Sequence, residues 1–462
     1  MKVHIAGYNI DKTLIDEIPE QSIATPETIS AAYARISRSK KSITELRKAS
    51  LNEIDKARNS NKNIVFDMGH SSIAEHAVFN IDLIGVSRYL TEYIQKTRLA
   101  SFTEKSQRYV TLDGDFVLPQ EIKSTPLEDE FLKIINLQNN LYEKMYQKGI
   151  DYLKKNNFQG KKRELEGRAK EDARYILALA TKTQMGMTIN ARSLTRLLRR
   201  LDTIQLVEAH ELKIELENTV KSIAPSLIRY TDTEEYEKHL DNLIPNLSRQ
   251  KDTPKFELLD FTENAEDKIL ATFLFEKNGG NFHDIIDYVN SLSEENRKNI
   301  FHMILKNMKP YHTAFKAFEI ANFTFQINMS ASCFAQWKRH RLSSIFRSDY
   351  RPENGFVIPE LLKKIGMVNE FTDFENQISL FYHKLVEINP LIGNYILTNA
   401  HKLSVIFHVN FRELYHFSRL RSDEHAQWEI REISQKMDKI VKEKMPNAAK
   451  LLMGKSEFVK KR

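Results

Sequence analysis

A short, partly alternating apolar run followed by helical spacing occurs twice in this chain, and the recurrence predicts two similar domains. Ala77–Leu83 (AVFNIDL) is rich in strand formers, and Val86–Arg98 behind it carries apolar residues at helical intervals. Far downstream, Asn322–Ile327 (NFTFQI) reads as a strand and Ser330–Arg341 as the helix that follows. The opening Met1-Lys-Val-His-Ile predicts a further short strand, without the apolar segment that would make it a signal peptide. Roughly residues 124–170 form a longer insertion in the first half. Its Phe131, Ile134, Ile135, Leu137, Leu141 and Tyr142 stand near helical spacing, which predicts surface helices without chemistry.

Self-similarity sharpens the picture. Residues 98–119, RLASFTEKSQRYVTLDGDFVLP, and 341–359, RLSSIFRSDYRPENGFVIP, share Arg-Leu-small-Ser at the start and Phe-Val-aliphatic-Pro at the end. Tyr175-Ile176-Leu177 matches Tyr395-Ile396-Leu397, and Asn190-Ala-Arg192-Ser-Leu194 matches Asn410-Phe-Arg412-Glu-Leu414. Both matches share one offset of 220 residues, so no gap separates them. The boundary is expected in the polar stretch Ile244–Pro254, giving one domain over 1–245 and a second over 246–462. A length of 462 residues accommodates two full cores at roughly 150 residues per domain.

Composition narrows the class. Gly and Pro, at 14 and 12, are scarce and favour helices over a turn-rich sandwich. No apolar run approaches the roughly 18 residues that span a bilayer. The single cysteine, Cys333, cannot form an internal disulfide, which fits a reducing, cytoplasmic setting; in its apolar context it reads as a small buried hydrophobe. A net charge of +7 suits an anionic ligand. Nucleic acid is disfavoured, because charges of both signs alternate along helical stretches and neither zinc-finger spacing nor an RNA-recognition signature is present.

The candidate chemistry clusters at the repeated blocks. Arg339-His340-Arg341 sets two guanidinium forks and an imidazole at a helix end, where they suit a nucleotide phosphate or a cofactor diphosphate. Cations at a helix carboxyl end are also favourable without any ligand, which is the purely structural alternative. Gln336 lies three residues earlier on the same helical face, suited to a base or a phosphate. The first copy has Lys96-Thr97-Arg98 and Tyr93 at these places but a richer loop, Glu104-Lys-Ser106-Gln107-Arg108-Tyr109, able to meet sugar and phosphate. The second copy has Arg347, Asp349 and Arg351 in that region, and Asp349 would repel a phosphate. No His/Cys/Asp cluster stands at metal-ligand spacing and no glycine-rich phosphate loop occurs, so no metal is expected. His70, His76, His312, His340 and His416 each leave a ligand role and an ordinary hydrogen-bonding role open.

Gly69-His70-Ser71-Ser72, Glu75-His76, Ser106-Gln107-Arg108-Tyr109, Arg339-His340-Arg341, Asn410-x-Arg412, His416-Phe417 and Leu420-Arg421…Ala426-Gln427-Trp428-Glu429-Ile430-Arg431 resemble the flavin-dependent thymidylate synthases. The family signature is Arg-His-Arg, seven residues, then Ser. The first copy keeps the spacing from Arg98 to Ser106 without the triplet; the second keeps the triplet with Asp349 in place of Ser. The resemblance implies an α/β (α+β) fold of two such domains in tandem, each a central sheet with flanking helices. It implies conversion of dUMP to dTMP with FAD, NADPH and 5,10-methylenetetrahydrofolate, and a homodimer carrying four such domains. Deoxyuridylate would be held by Gln336, Arg339 and Arg421, the last favouring the uracil anion, and from the other side by Glu104, Ser106, Gln107, Arg108 and Arg174. FAD would meet His76, Glu104, Arg339, His340, Arg341, Asn410, Arg412 and His416. Asn394 stands where the first copy has Arg174, and Leu201 where the second has Arg421, so each copy keeps half a site. Action on another pyrimidine nucleotide, or non-catalytic nucleotide or RNA binding, remain the alternatives.

Overall fold

The structure is a computed structural model that describes residues 1–12, 14, 25–36, 39–107, 114–235 and 254–460. The expected boundary at 245/246 and the loop residues Arg108 and Tyr109 lie outside the described residues.

In the first copy β1 (Lys2–Tyr8), β2 (Val78–Ser87), β3 (Ala100–Glu104) and β4 (Lys182–Asn190) form an antiparallel sheet in the order β1-β2-β4-β3. Besides helices at Glu27–Arg35, Ile43–Asn52 and Ile54–Asn61, this copy carries α1 (Arg88–Ile94), α2 (Pro126–Lys155), α3 (Lys162–Ala173), α4 (Ala191–Thr203) and α5 (Val207–Lys221). The second copy repeats the plan: β5 (Phe256–Phe261), β6 (Asn322–Ser330), β7 (Ser344–Arg347) and β8 (Lys402–Asn410) pair in the order β5-β6-β8-β7. Its matching helices are α6 (Ala331–Trp337), α7 (Val368–Val386), α8 (Phe411–Arg421) and α9 (Trp428–Lys444). The predicted strands therefore form but run further, and the predicted helices are shorter, because Ser87 and Ser330 cap α1 and α6 by accepting from Leu90 N and Cys333 N.

Alternation decides which face of each sheet is buried. Phe79, Ile81 and Leu83 of β2, and Phe323, Phe325, Ile327 and Met329 of β6, are fully covered while their neighbours point outward. Each such side chain contributes about 1.5–3 kcal/mol by leaving water. At Gly85, φ +78°, the register of β2 on β4 slips between Ile84 and Val86, a bulge whose left-handed residue needs glycine. Val78 pairs with Asn190 and Asn322 with Asn410, so each central strand pair ends on the asparagine that caps the next helix. Asn190 Oδ1 accepts from Ser193 N and Asn410 Oδ1 from Glu413 N, at 2.8 and 2.9 Å.

A second device is repeated and was not anticipated. The Glu208 carboxylate of α5 takes Ser87 N and Oγ at 2.6 and 2.7 Å, and the Glu429 carboxylate of α9 takes Ser330 N and Oγ. Glu208 also accepts from Tyr395 OH at 2.5 Å, and burial raises its pKa against these hydrogen bonds.

The chain divides into two compact units: residues 1–248 with 358–399, and 249–357 with 400–462. In the first unit α2 keeps an exposed outer face, as its spacing predicted, while Phe131, Ile134, Ile135, Leu141 and Tyr142 of its apolar stripe are buried and Leu137 is exposed. Its Phe131 meets Phe381 of α7, with Lys144–Glu370 and Lys384–Glu130 pairs along the seam. The apolar stripe had a helical partner from the second copy, which spacing alone does not reveal. In the same unit Ala178 bridges to Thr398, its own counterpart at the 220-residue offset, and Leu179 N donates to Leu397 O at 2.8 Å. Among the described residues no helix is long and apolar enough to cross a membrane.

Candidate active site

The triplet lies just past α6, whose last turn ends at Lys338. Arg339 and Arg341 are exposed, and His340 is buried at 3% exposure. His340 Nε2 accepts from Arg421 Nε at 2.9 Å, and Arg421 Nη2 donates to the Gln336 carbonyl at 3.2 Å. His340 Nδ1 faces Glu413 Oε1 at 3.3 Å. Burial, with Arg421, His416 and Arg339 around it, holds the imidazole pKa well below its ordinary value. The Gln336 side chain is buried, and its Nε2 has no hydrogen-bond partner among the described residues. The second unit thus joins Gln336, Arg339, His340 and Arg421 at one helix end.

Asn410 and Arg412 are committed to the fold as well. Asn410 caps α8, while Arg412 Nε donates to Ala314 O and its Nη1 pairs with Glu319 at 2.7 Å. His416 is exposed, with its ring 5.8 Å from that of His340. His340, Glu413 and His416 bring potential ligand atoms within 4.8 Å of one another, a His/Glu/His group that corrects the expectation of no metal-type cluster. The group was missed because His340 is remote in sequence, although Glu413-x-x-His416 was legible on one helix face.

The first unit holds the other candidates. Glu104 is nearly buried, ion-paired with Arg88 and accepting from Gln95 Nε2 at 2.9 Å, so its carboxylate is already engaged. Gln107 Oε1 accepts from Asn399 Nδ2 at 3.1 Å; Ser106 is half-buried beside it. Arg174 is 5% exposed, donates from Nε to Glu171 O, and its own carbonyl accepts from Asn399. Asn394, its counterpart, instead donates to Tyr89 OH at 3.1 Å. His76 is exposed and edge-on to Tyr33 at 4.7 Å. Gly69 and Ser71 line a cleft of about 310 Å³ with Phe66, Arg192, Arg196 and Arg229. His312 accepts from Lys309 N through Nδ1, an ordinary structural role.

The loss of Arg421 in the first copy is less complete than the sequence comparison implied. Leu201 is buried at the matching place, but the preceding Arg200 donates from Nη1 to Tyr93 O and Thr97 Oγ1, each at 3.2 Å. Tyr93 and Thr97 occupy the places of Gln336 and His340, so an arginine clasps the helix end in both copies.

Two copies of one α+β plan, one of which presents guanidinium groups and a buried amide at a helix end, define a duplicated two-sheet protein. Thymidylate synthase complementing protein is the family whose model matches residues 16–226 and again 257–447, and the chain belongs to that family. A UPF0159 protein of Thermoplasma acidophilum is 24% identical over 440 residues, covering 85% of this chain and 87% of the relative. The flavin-dependent thymidylate synthase of Clostridium tetani is 34% identical over 214 residues, 45% of this chain and 82% of the relative. A crystal structure of ThyX from Helicobacter pylori complexed with FAD and dUMP matches 50% of this chain and 100% of its own at 18% identity, with a TM-score of 0.33.

Proposed function

We propose that this chain is a flavin-dependent thymidylate synthase that converts dUMP to dTMP with 5,10-methylenetetrahydrofolate and NADPH. The observation that carries the reading is Arg421, a fixed cation held by His340 and the Gln336 carbonyl next to Arg339. A guanidinium preset in this way costs no reorganisation when negative charge develops on its ligand. Placed against uracil N3 and its carbonyl, it favours the anion and raises electron density at C5. No enzyme nucleophile is needed, and the lone thiol, Cys333, is buried.

The residues present fit FAD by donor chemistry: Arg339 and Arg341 are exposed forks suited to a diphosphate, and the unpartnered Nε2 of Gln336 seeks an acceptor. FAD, when bound, supplies the redox step by carrying hydride from NADPH. Arg339, Arg341, Arg412 and His416 would hold it, over a His340 whose two ring nitrogens already face Glu413 and Arg421. Asn410 would meet it chiefly through the start of α8 that it caps, and His76 from the first copy. Gln336, Arg339 and Arg421 would take dUMP from one side; Ser106, Gln107, Arg108 and Arg174 would take it from the other, with Glu104 holding that loop through Arg88 and Gln95.

The working site is assembled from the first copy's loop and the second copy's triplet, and the chain acts as a homodimer. The purified protein should show flavin absorbance in the visible blue and release the C5 proton of dUMP only with NADPH and the folate. Colourless protein that binds nucleotide or RNA without turnover would refute the enzyme; flavin with turnover of another pyrimidine nucleotide would refute the substrate. Mixed chains carrying Arg174→Ala and Arg339→Ala, each inactive alone, should regain part of the activity if the site spans two chains.

A further inference from the structure

One chain of hydrogen bonds in the second unit has all three of its members replaced in the first copy. Glu413 Oε1 lies 3.3 Å from His340 Nδ1, His340 Nε2 accepts from Arg421 Nε at 2.9 Å, and Arg421 Nη2 reaches the Gln336 carbonyl at 3.2 Å. An imidazole that accepts at Nε2 carries its proton at Nδ1, the nitrogen turned to the carboxylate. At the matching places the first copy has Ser193, Thr97 and Leu201.

The first copy shows what the fold alone requires here. Its helix end is clasped by Arg200 through the Tyr93 carbonyl and the Thr97 hydroxyl, with Ser193 at the place of Glu413. Glu413 and His340 exceed that requirement. They also carry a cost, since both side chains are more than nine-tenths covered, at 6% and 3% exposure. A carboxylate buried there is repaid by what it orients.

We propose that Glu413 and His340 are positioning residues that fix the plane of the Arg421 guanidinium against the pyrimidine. The inference rests on the reaction assigned above. Glu413 selects the Nδ1–H form of the ring, which leaves a lone pair at Nε2 aimed at Arg421 Nε. Two acceptors on one edge, that lone pair and the Gln336 carbonyl, determine the orientation of a planar fork where a single contact would let it swivel. Competing use of the group as a metal site is opposed by its surroundings. Nε2 is already given to Arg421, and the charges of Arg339, Arg412 and Arg421 act on His340 and Glu413.

The test is chemical rescue in the full-length, flavin-loaded protein. Arg421→Ala opens a gap beside His340 Nε2 and the Gln336 carbonyl, and added guanidinium ion should restore part of the C5 proton release. With Glu413→Ala added, roughly tenfold more guanidinium should be needed for equal recovery, the worth of one charge-assisted hydrogen bond. Alone, Glu413→Ala should lower kcat about tenfold while KM for dUMP changes less than about threefold, and Glu413→Gln, which keeps an acceptor, should recover most of the loss. Should Glu413→Ala not fold, Glu413→Asp, too short to reach Nδ1, carries the same expectation. Equal rescue with and without Glu413, or an unchanged kcat, overturns the proposal. So does stoichiometric Zn²⁺ in the wild-type protein that disappears in His416→Ala. A wild-type chain that turns over no dUMP removes the reaction and the relay with it; an active wild type indifferent to Glu413→Ala removes the relay alone.

Discussion

The two sheets and the helices that follow them make an internal comparison. Both central strands end in a serine locked by a glutamate, Ser87 on Glu208 and Ser330 on Glu429. Both copies cap the next helix with asparagine and tie the second residue of that helix to an acid, Arg192 to Glu75 and Arg412 to Glu319. At the end of the short helix they part: Arg339-His340-Arg341 with Glu413 and Arg421 in one, Lys96-Thr97-Arg98 with Ser193 and Leu201 in the other. Polar residues that satisfy buried backbone are held in duplicate, because each sheet must fold. On the reading proposed above, the triplet and Arg421 need be kept only once per working site, and they are the ones that diverge.

The largest test of that division is on activity. Arg421→Ala should lower kcat about 10²–10³-fold, as loss of a preset electrostatic donor does, while Arg200→Ala should leave it nearly unchanged; steady-state kinetics decides. If both fall alike, the clasp is only structural and the comparison fails.

Stability should behave symmetrically where activity does not. Glu208→Ala and Glu429→Ala each leave a buried serine and a strand-end amide without their acceptor, and each should cost about 3 kcal/mol in denaturant unfolding. A loss confined to one copy would show that the shared geometry hides unequal roles.

Acid sharpens the contrast. His401 is fully buried and its pKa is pushed down to about 3; the first copy has Thr181 there, donating to Ala178 O at 2.7 Å. The unfolded chain takes up this proton near the ordinary value of 6.5 while the folded chain does not, so stability is full above that pH and declines as pH falls toward 3. His401→Gln should spare about 2 kcal/mol of that loss by pH 5, measured as the difference between the two unfolding curves.

The smallest effect is the helix cap. Asn190→Ala and Asn410→Ala should each cost about 1 kcal/mol of stability, but only Asn410→Ala should also weaken flavin retention, read by absorbance after gel filtration.

By itself the sequence determined a good deal. Alternation located β2 and β6, the 220-residue offset exposed the duplication, and the triplet with its partner motifs pointed to the family, because these signals are local or compare the chain with itself. Tertiary structure decided the rest. It buried α2 against α7, which no helical period specifies, since a stripe does not name its partner. It engaged Glu104 with Arg88 and supplied Arg200 as a substitute for the missing Arg421 counterpart. Above all it brought Glu413 to His340 across 73 residues of chain. Such pairings follow from how strands and helices pack in space, and the linear spacing of residues carries no record of it.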